Sequence, residues 1–374
     1  MLMHYDCIVI GAGIAGSSVA YFLKEKGLKV LVLDRAGIAH TGGSAAAGAF
    51  VSPKIGKGSP LQNLTNSAFA FSKDFYLTHF SKYFLQTGVV RIPKDEVDAT
   101  KFEGYEPYNY PNYQWKQAKE LEEAHILEKH ASFYFEEAGV CSPSVCESML
   151  QDIDFVKYDV KGLCYDEGLW SIGSYQAPKL VLATGYENRF IDMRYMGIKG
   201  VWGTRGDYKS TLPLIVSMHK NVSVSANLNG IIKVGATHEM GTLPCIHCNE
   251  EPLKGLLAKA STMVDTSDFK LTATYCGMRS TSQDYAPLIG EVIDVKTMLE
   301  THPTLPQGYK PKEPLAKMEG LYVCNGLGGR GFVFGPMMGK MLAEFIVDGK
   351  AVDPRVNPDR LFLKWCRKSP DLAR

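Results

Sequence analysis

The stretch YDCIVIGAGIAGSSVAYFLKEKGLKVLVLD, residues 5–34, decides how the rest of the chain is read. YDCIVI is a short apolar, β-branched run, the pattern of a strand buried in a parallel sheet. GAGIAG follows, then SSVAYFLKEKG, with helical apolar spacing and a stop at Gly27. KVLVLD, residues 29–34, is a second buried strand ending in an acid. In this context Gly11 permits a tight turn, Gly13 lets a pyrophosphate approach the backbone, and Gly16 lets helix and strand pack closely. The pyrophosphate belongs at the helix N-terminus, beside Ile14 and Ala15, where free N–H groups and the helix dipole favour an anion. Asp34, followed by Arg35, is placed to accept ribose hydroxyls. A bound dinucleotide is expected.

The same logic returns at the other end. GLYVCNGLGGRGFVFGPMMGKMLAEFI, residues 320–346, reads as strand, glycine turn and helix. A helix start there can point its partial positive charge at the electron-poor ring of a flavin, which a nicotinamide would not need. Gly326, Gly328, Gly329, Arg330, Gly331 and Phe332 are therefore assigned to the cofactor. Between the two ends, residues 163–185 alternate like a meander and close on the apolar strand KLVLATG, adding Thr184 and Gly185; Val156 is assigned to the same site. A helix is expected from about Pro60 to Phe84, irregular surface over 100–118, a helical period in PSVCESMLQDI from Pro143, and several strands over 200–275. Nucleotide-type units at the start, middle and end imply one discontinuous FAD-binding domain (1–50, 136–195 and 276–374). The remainder, 51–135 and 196–275, forms a substrate domain. The fold class is α/β, a Rossmann-type domain with a mixed-sheet partner.

Composition narrows the function. The chain has 374 residues, 45% hydrophobic and 22% charged, with a net charge of +1. It is long enough for two cores, and its charge makes no claim on nucleic acid or membrane. The start lacks a signal-peptide pattern and no window is long enough to cross a membrane, so a cytoplasmic protein is expected. Its nine cysteines are scattered, which suggests reduced thiols rather than a disulfide framework. Cys245 and Cys248 have metal-ligand spacing, with His238 and His247 nearby, but there is no second CxxC pair, and no metal is expected.

The order of GAGIAG, Asp34, SAAAG (44–48), LVLATG, RxxxxDxxPxxG (279–290) and GLGGRGF resembles the D-amino-acid-oxidase superfamily of flavoproteins, which includes glycine and sarcosine oxidases. The resemblance spans essentially the whole chain. It implies that Ser44, Ala45, Ala46, Ala47 and Gly48 run beneath the flavin. GAFVSPKIGKGSPLQNLTNSAFAFSKDFY (48–76) and NPDRLFLKWCRK (357–368) are similar to a narrower family, the flavin-dependent half of the bifunctional tRNA 5-methylaminomethyl-2-thiouridine biosynthesis proteins, MnmC. That family removes a carboxymethyl group from 5-carboxymethylaminomethyl-uridine at the tRNA wobble position. In it a methyltransferase domain precedes the flavin domain, whereas only Met1–His4 precede the first strand here. The resemblance thus implies a free-standing oxidase, with any methylation left to a separate methyltransferase.

The group to be oxidised is an N-substituted glycine, and Arg279 matches the position at which glycine oxidases hold a carboxylate. A guanidinium suits that task because its fork is bidentate and keeps its charge when desolvated. The alternative is an ion pair with Asp284 or another acid. Tyr275, four positions earlier, is expected to line the pocket. Cys276 falls one residue off the position at which some sarcosine oxidases attach flavin, so non-covalent FAD is expected. Molecular oxygen is the expected acceptor. Lys54 and Lys57 are candidates for tRNA phosphates, as are Arg355, Arg360, Lys364, Arg367 and Lys368. Two other functions fit the same residues: a small-molecule amine oxidase for glycine, sarcosine or a D-amino acid, and a non-catalytic flavin-bearing tRNA-binding subunit.

Overall fold

The computed structural model describes residues 2–187, 189–244 and 248–369. The opening stretch forms strand β1 (Cys7–Ile10), helix α1 (Ile14–Glu25) and strand β2 (Val30–Asp34). Gly11 has φ +108°, and a Cβ there would lie 2.3 Å from the carbonyl oxygen of Ala183. A Cβ on Gly16 would lie 1.8 Å from the carbonyl oxygen of Gly11, so helix and turn touch through backbone alone. A single turn, α2 (Gly42–Ala45), precedes α3 (Pro60–His79), which Ser59 caps by accepting from Gln62 N at 3.1 Å. Further on come β3 (Asp154–Lys157), β4 (Leu180–Leu182), β5 (Lys199–Lys209), β6 (Lys270–Thr281), β7 (Leu288–Ile293), β8 (Lys317–Asn325) and α4 (Gly331–Asp348).

The central sheet runs β3-β2-β1-β4-β8-β7, parallel except for β7. Both faces are covered, which is why its strands read as unbroken apolar runs. Val9, Val32 and Val181 face the core that contains α1, α3 and α4. Ile8, Leu31 and Leu180 face the opposite core, shared with Trp170 and Ile172 of the meander and with Phe362 and Cys366 near the C-terminus. The second large sheet has nine strands, among them β5, β6, Val89–Arg91 and Ser217–His219. This is the α/β fold with a mixed second sheet that the pattern implied.

Two local expectations are corrected. The helix from Pro60 stops at His79, because Phe84–Leu85 pair as a strand with Gly139–Cys141. Residues 100–118 are not irregular. They contain the end of helix Glu96–Phe102, a 3-10 turn and strand Tyr113–Lys116, which pairs with Ser132–Phe135. The stacking of Phe102 on Phe133, centroids 5.0 Å apart, organises that region, and nothing local announces it.

Helix α4 lies on α1 through glycines spaced by four. Cβ atoms on Gly331, Gly335 and Gly339 would fall 3.0 Å from Ile14 Cγ2, 2.8 Å from Ile14 Cγ1 and 2.7 Å from the Ser18 carbonyl carbon. Within α4, Pro336 has no N–H to offer the carbonyl of Phe332, and the buried Tyr76 hydroxyl of α3 donates to that oxygen at 2.9 Å instead. Ser72 likewise donates to the carbonyl of Val333 at 2.7 Å.

The same substitution should therefore act with opposite sign on two helices. Gly339→Ala should cost about 1–3 kcal/mol by forcing α4 off the α1 backbone. Gly255→Ala, on an exposed helical position where a Cβ meets nothing within 4 Å, should gain about 0.5–1 kcal/mol. Urea midpoints at constant m-value measure both; equal shifts would refute this packing account.

Candidate active site

One cleft of about 1240 Å³ runs between the two sheets. Its first end is the β1–α1 turn. Ile14 N donates to Ser44 Oγ at 3.0 Å, which locks α2 to the helix start. The first-turn N–H groups of α1 beyond Ile14, on Ala15 and Gly16, have no carbonyl one turn back to bond. The Asp34 carboxylate accepts from Ala12 N at 2.9 Å and from Ala36 N at 2.8 Å, yet still lines the cleft with lone pairs to spare. Arg35 is engaged in a two-pronged pair with Glu187 at the rim.

The middle of the cleft passes α2. The small residues of 42–48 are needed there for a reason beyond room for a ligand. A Cβ on Gly277 of β6 would lie 2.2 Å from the carbonyl oxygen of Gly42, so α2 rests directly on the strand. Residues Gly42 to Gly48 line the cleft from that position.

At the far end β6 carries Tyr275, Gly277 and Arg279 on one face, by strand alternation. Gly277 pairs with Gly203 of β5, and the missing side chain of Gly203 is filled by the Arg279 guanidinium: a Cβ there would lie 2.3 Å from Nη2. Arg279 donates to the carbonyl oxygen of Thr237 at 3.1 Å and has no acid partner among the described residues. Asp284, the alternative partner, holds Arg360 instead, at 2.8 and 2.9 Å. Burial lowers the Arg279 pKa, because desolvation disfavours the charged form. Tyr275 lines the cleft with its ring under the Arg205 guanidinium, 4.2 Å away.

A second group of cations lines the cleft beyond α2. Arg330, at the start of α4, donates to the carbonyl oxygen of Ser52 at 3.4 Å. Ser52 Oγ lies 3.5 Å from Nε2 of His219, whose Nδ1 lies 2.6 Å from Ser223 Oγ. Arg91 is the register partner of His219 on the neighbouring strand, and Lys54 follows Ser52 by two residues. Burial first, then Arg91 and Arg330, hold His219 well below its ordinary value, so its ring is neutral. Lys54 is lowered by burial, then by Arg330 and Arg91.

Most of the assigned residues meet in this cleft: Gly11, Gly13, Ile14, Ala15, Asp34, Arg35, Ser44, Ala45, Ala46, Ala47, Gly48, Thr184, Gly185, Gly328, Gly329, Arg330, Gly331 and Phe332, with Lys54, Tyr275 and Arg279. Gly16 and Gly326 do not line it; Gly16 packs on the Gly11 carbonyl and Gly326 against the side chains of Leu288 and Ser282. Val156 does not line it; Tyr158, Asp159 and Val160, two to four residues on, do. Lys57 is exposed outside it, Arg355 pairs with Asp353, and Lys364, Arg367 and Lys368 are exposed away from it. Sequence reasoning missed Arg91, Gly203 and His219. Arg91 has the clearest signal, a cation ending the apolar run VVR.

The expectation of reduced thiols is corrected at one pair: Cys248 and Cys276 form a disulfide. The CxxC spacing drew attention to Cys245, which with His247 lies outside the described residues, whereas the partner comes from β6, 28 positions away. Among the described residues no group of side chains could hold a metal.

The glycine turn, the acid-tipped strand and the second glycine turn all line the one cleft, and these residues fit a dinucleotide. That arrangement defines a flavin-type oxidoreductase. The chain belongs to the DAO family, FAD dependent oxidoreductases, whose model matches residues 6–345. FAD is its cofactor, held without a covalent bond; Cys276 Sγ is already bonded to Cys248. The chain is 24% identical over 392 residues to the tRNA 5-methylaminomethyl-2-thiouridine biosynthesis bifunctional protein MnmC of Legionella pneumophila (strain Philadelphia 1), covering 97% of this chain and 58% of that protein. It is 25% identical to the protein of the same name in Pseudomonas putida (strain W619), over 96% of this chain and 60% of that one. The chain thus spans a little under two thirds of those relatives. In fold it is similar to glycine oxidase from Bacillus cereus (TM-score 0.77, 20% identity, 93% of this chain and 96% of that one). L-proline dehydrogenase from P. horikoshii is also similar (TM-score 0.76, 18% identity, 96% and 98%).

Two outcomes follow from this geometry. Gly203→Ala should push the Arg279 guanidinium from its seat, weakening carboxylate ligands about tenfold or more while FAD content stays that of wild type; unchanged ligand affinity would contradict the placement. Below about pH 6.5 the unfolded chain protonates His219 while the folded chain does not, so stability should fall as pH drops through that value. His219→Gln should flatten the fall of the thermal midpoint between pH 7 and 5, and an unaltered slope would show that His219 is not its source.

Proposed function

We propose that the chain oxidises the carboxymethylaminomethyl group on the wobble uridine of tRNA, releasing glyoxylate and leaving aminomethyl-uridine. The observation that carries this reading is the buried Arg279 of the cleft, which pairs with no acid among the described residues. Its guanidinium would bind the substrate carboxylate and so direct the adjacent methylene at the cofactor. FAD, when bound, supplies the two-electron oxidation of that carbon–nitrogen bond to the imine, which water then hydrolyses. The cations of the cleft disfavour an ammonium and favour the neutral amine that oxidation requires. No side-chain nucleophile is needed.

The rim supports a nucleic-acid substrate. Tyr186 and Tyr285 line the cleft and are 39% and 65% accessible, and unstacked bases bind such aromatic surfaces. The names of the curated relatives point the same way. On this reading the chain works in the cytoplasm, passes electrons to oxygen to give peroxide, and hands its product to a methyltransferase. Among the described residues no helix is long and apolar enough to cross a membrane. A small-molecule amine oxidase is the second reading, favoured by the same Arg279.

Anaerobic mixing with tRNA bearing 5-carboxymethylaminomethyl-uridine separates them. The flavin absorbance should bleach with that tRNA and not with free glycine or sarcosine, and Arg279→Gln should slow bleaching at least about a hundredfold. Bleaching by the free amino acids alone would leave the amine oxidase. Binding of tRNA with no bleaching by any donor would leave a non-catalytic flavin-bearing tRNA-binding subunit.

A further inference from the structure

The cations beyond α2 are not needed to hold the substrate carboxylate, which Arg279 takes, nor the pyrophosphate, which belongs at the start of α1. They stand on three separate parts of the fold that converge on one wall of the cleft. Lys54 comes from the loop after α2, Arg91 and His219 from adjacent strands of the nine-stranded sheet, and Arg330 from the head of α4. Lys54, Arg91 and His219 thus lie on the substrate side. Among the described residues none of the four pairs with a carboxylate, although Lys220, next to His219, does so with Glu128. Like charges gathered in a half-buried wall without acids raise the energy of the free protein. An oxyanion supplied from outside would relieve it, accepting from the two guanidinium forks and the ammonium. The neutral His219, held between Ser52 and Ser223, can add at most one N–H.

We infer that Lys54, Arg91 and Arg330, with His219 beside them, form a second oxyanion subsite that takes a phosphate of the substrate. This rests on the proposed function for the source of that phosphate, a phosphodiester of the tRNA anticodon loop. Two anionic contacts, carboxylate on Arg279 and phosphate on this wall, then fix the nucleotide at both ends. The subsite makes the substrate class an N-substituted glycine that also carries a phosphate.

Calorimetric titration of the FAD-loaded protein with inorganic phosphate tests the subsite without requiring turnover. Phosphate should bind at one site. Lys54→Gln and Arg91→Gln should each weaken it about tenfold or more at wild-type FAD content, and Arg279→Gln should leave it. No saturable binding, binding by both variants as tight as that of wild type, or loss of FAD from both would overturn the inference; the last would assign the wall to the cofactor. Lys54 lies on a loop, so its variant reports even if Arg91→Gln does not fold. Competition identifies the source. Displacement of phosphate by an anticodon stem-loop supports the phosphodiester, while displacement only by ribose 5-phosphate supports a small phosphorylated amine at the same subsite. If phosphate binds as expected but no tRNA bleaches the flavin, the subsite stands and the tRNA reading falls alone.

Discussion

The contact between Gly16 and the carbonyl of Gly11 is the constraint on which everything else here depends. Because no side chain separates them, α1 starts directly over the end of β1, and its first N–H groups open into the cleft. Helix α4 then seats on α1 through its own glycines, and α3 closes over α4 with two hydroxyls donated to its first carbonyls. The hydroxyl of Tyr76 does for Phe332 what the backbone of Pro336 cannot. Each layer inherits its position from the one beneath.

The cleft holds cations of two kinds. Arg35 pairs with Glu187 there, whereas among the described residues Arg279, Arg91, Arg330 and Lys54 of the same cleft pair with no carboxylate. Half-buried unpaired charge is unfavourable for folding, and a cluster of it in a cleft marks a candidate site for ligand recognition. Arg205 stands between the two regimes, near Asp207 at 3.4 Å and over the Tyr275 ring.

Much of the fold was legible because strand, glycine turn, helix and acid follow one another without interruption from Tyr5 to Asp34, and each step has a local cause. The cofactor end was legible for the same reason. The substrate end was less so. Arg279 stood in a motif, but Gly203 acquires its meaning only from being opposite Gly277, and Arg91 and His219 only from lying on paired strands more than a hundred residues apart in sequence. Val156 misses the cleft, which Tyr158, Asp159 and Val160 line instead, a register that a single sequence cannot fix to the residue. The Cys248–Cys276 pair was hidden likewise, since spacing says nothing of which strand a loop will cross.

Helices α1 and α4 also begin side by side, since a Cβ on Gly331, the first residue of α4, would lie 3.0 Å from Cγ2 of Ile14, the first residue of α1. Gly335 and Gly339 carry the contact on along α4 as far as Ser18. Two helix N-termini therefore open together on one stretch of the cleft, and their partial positive charges reinforce each other there.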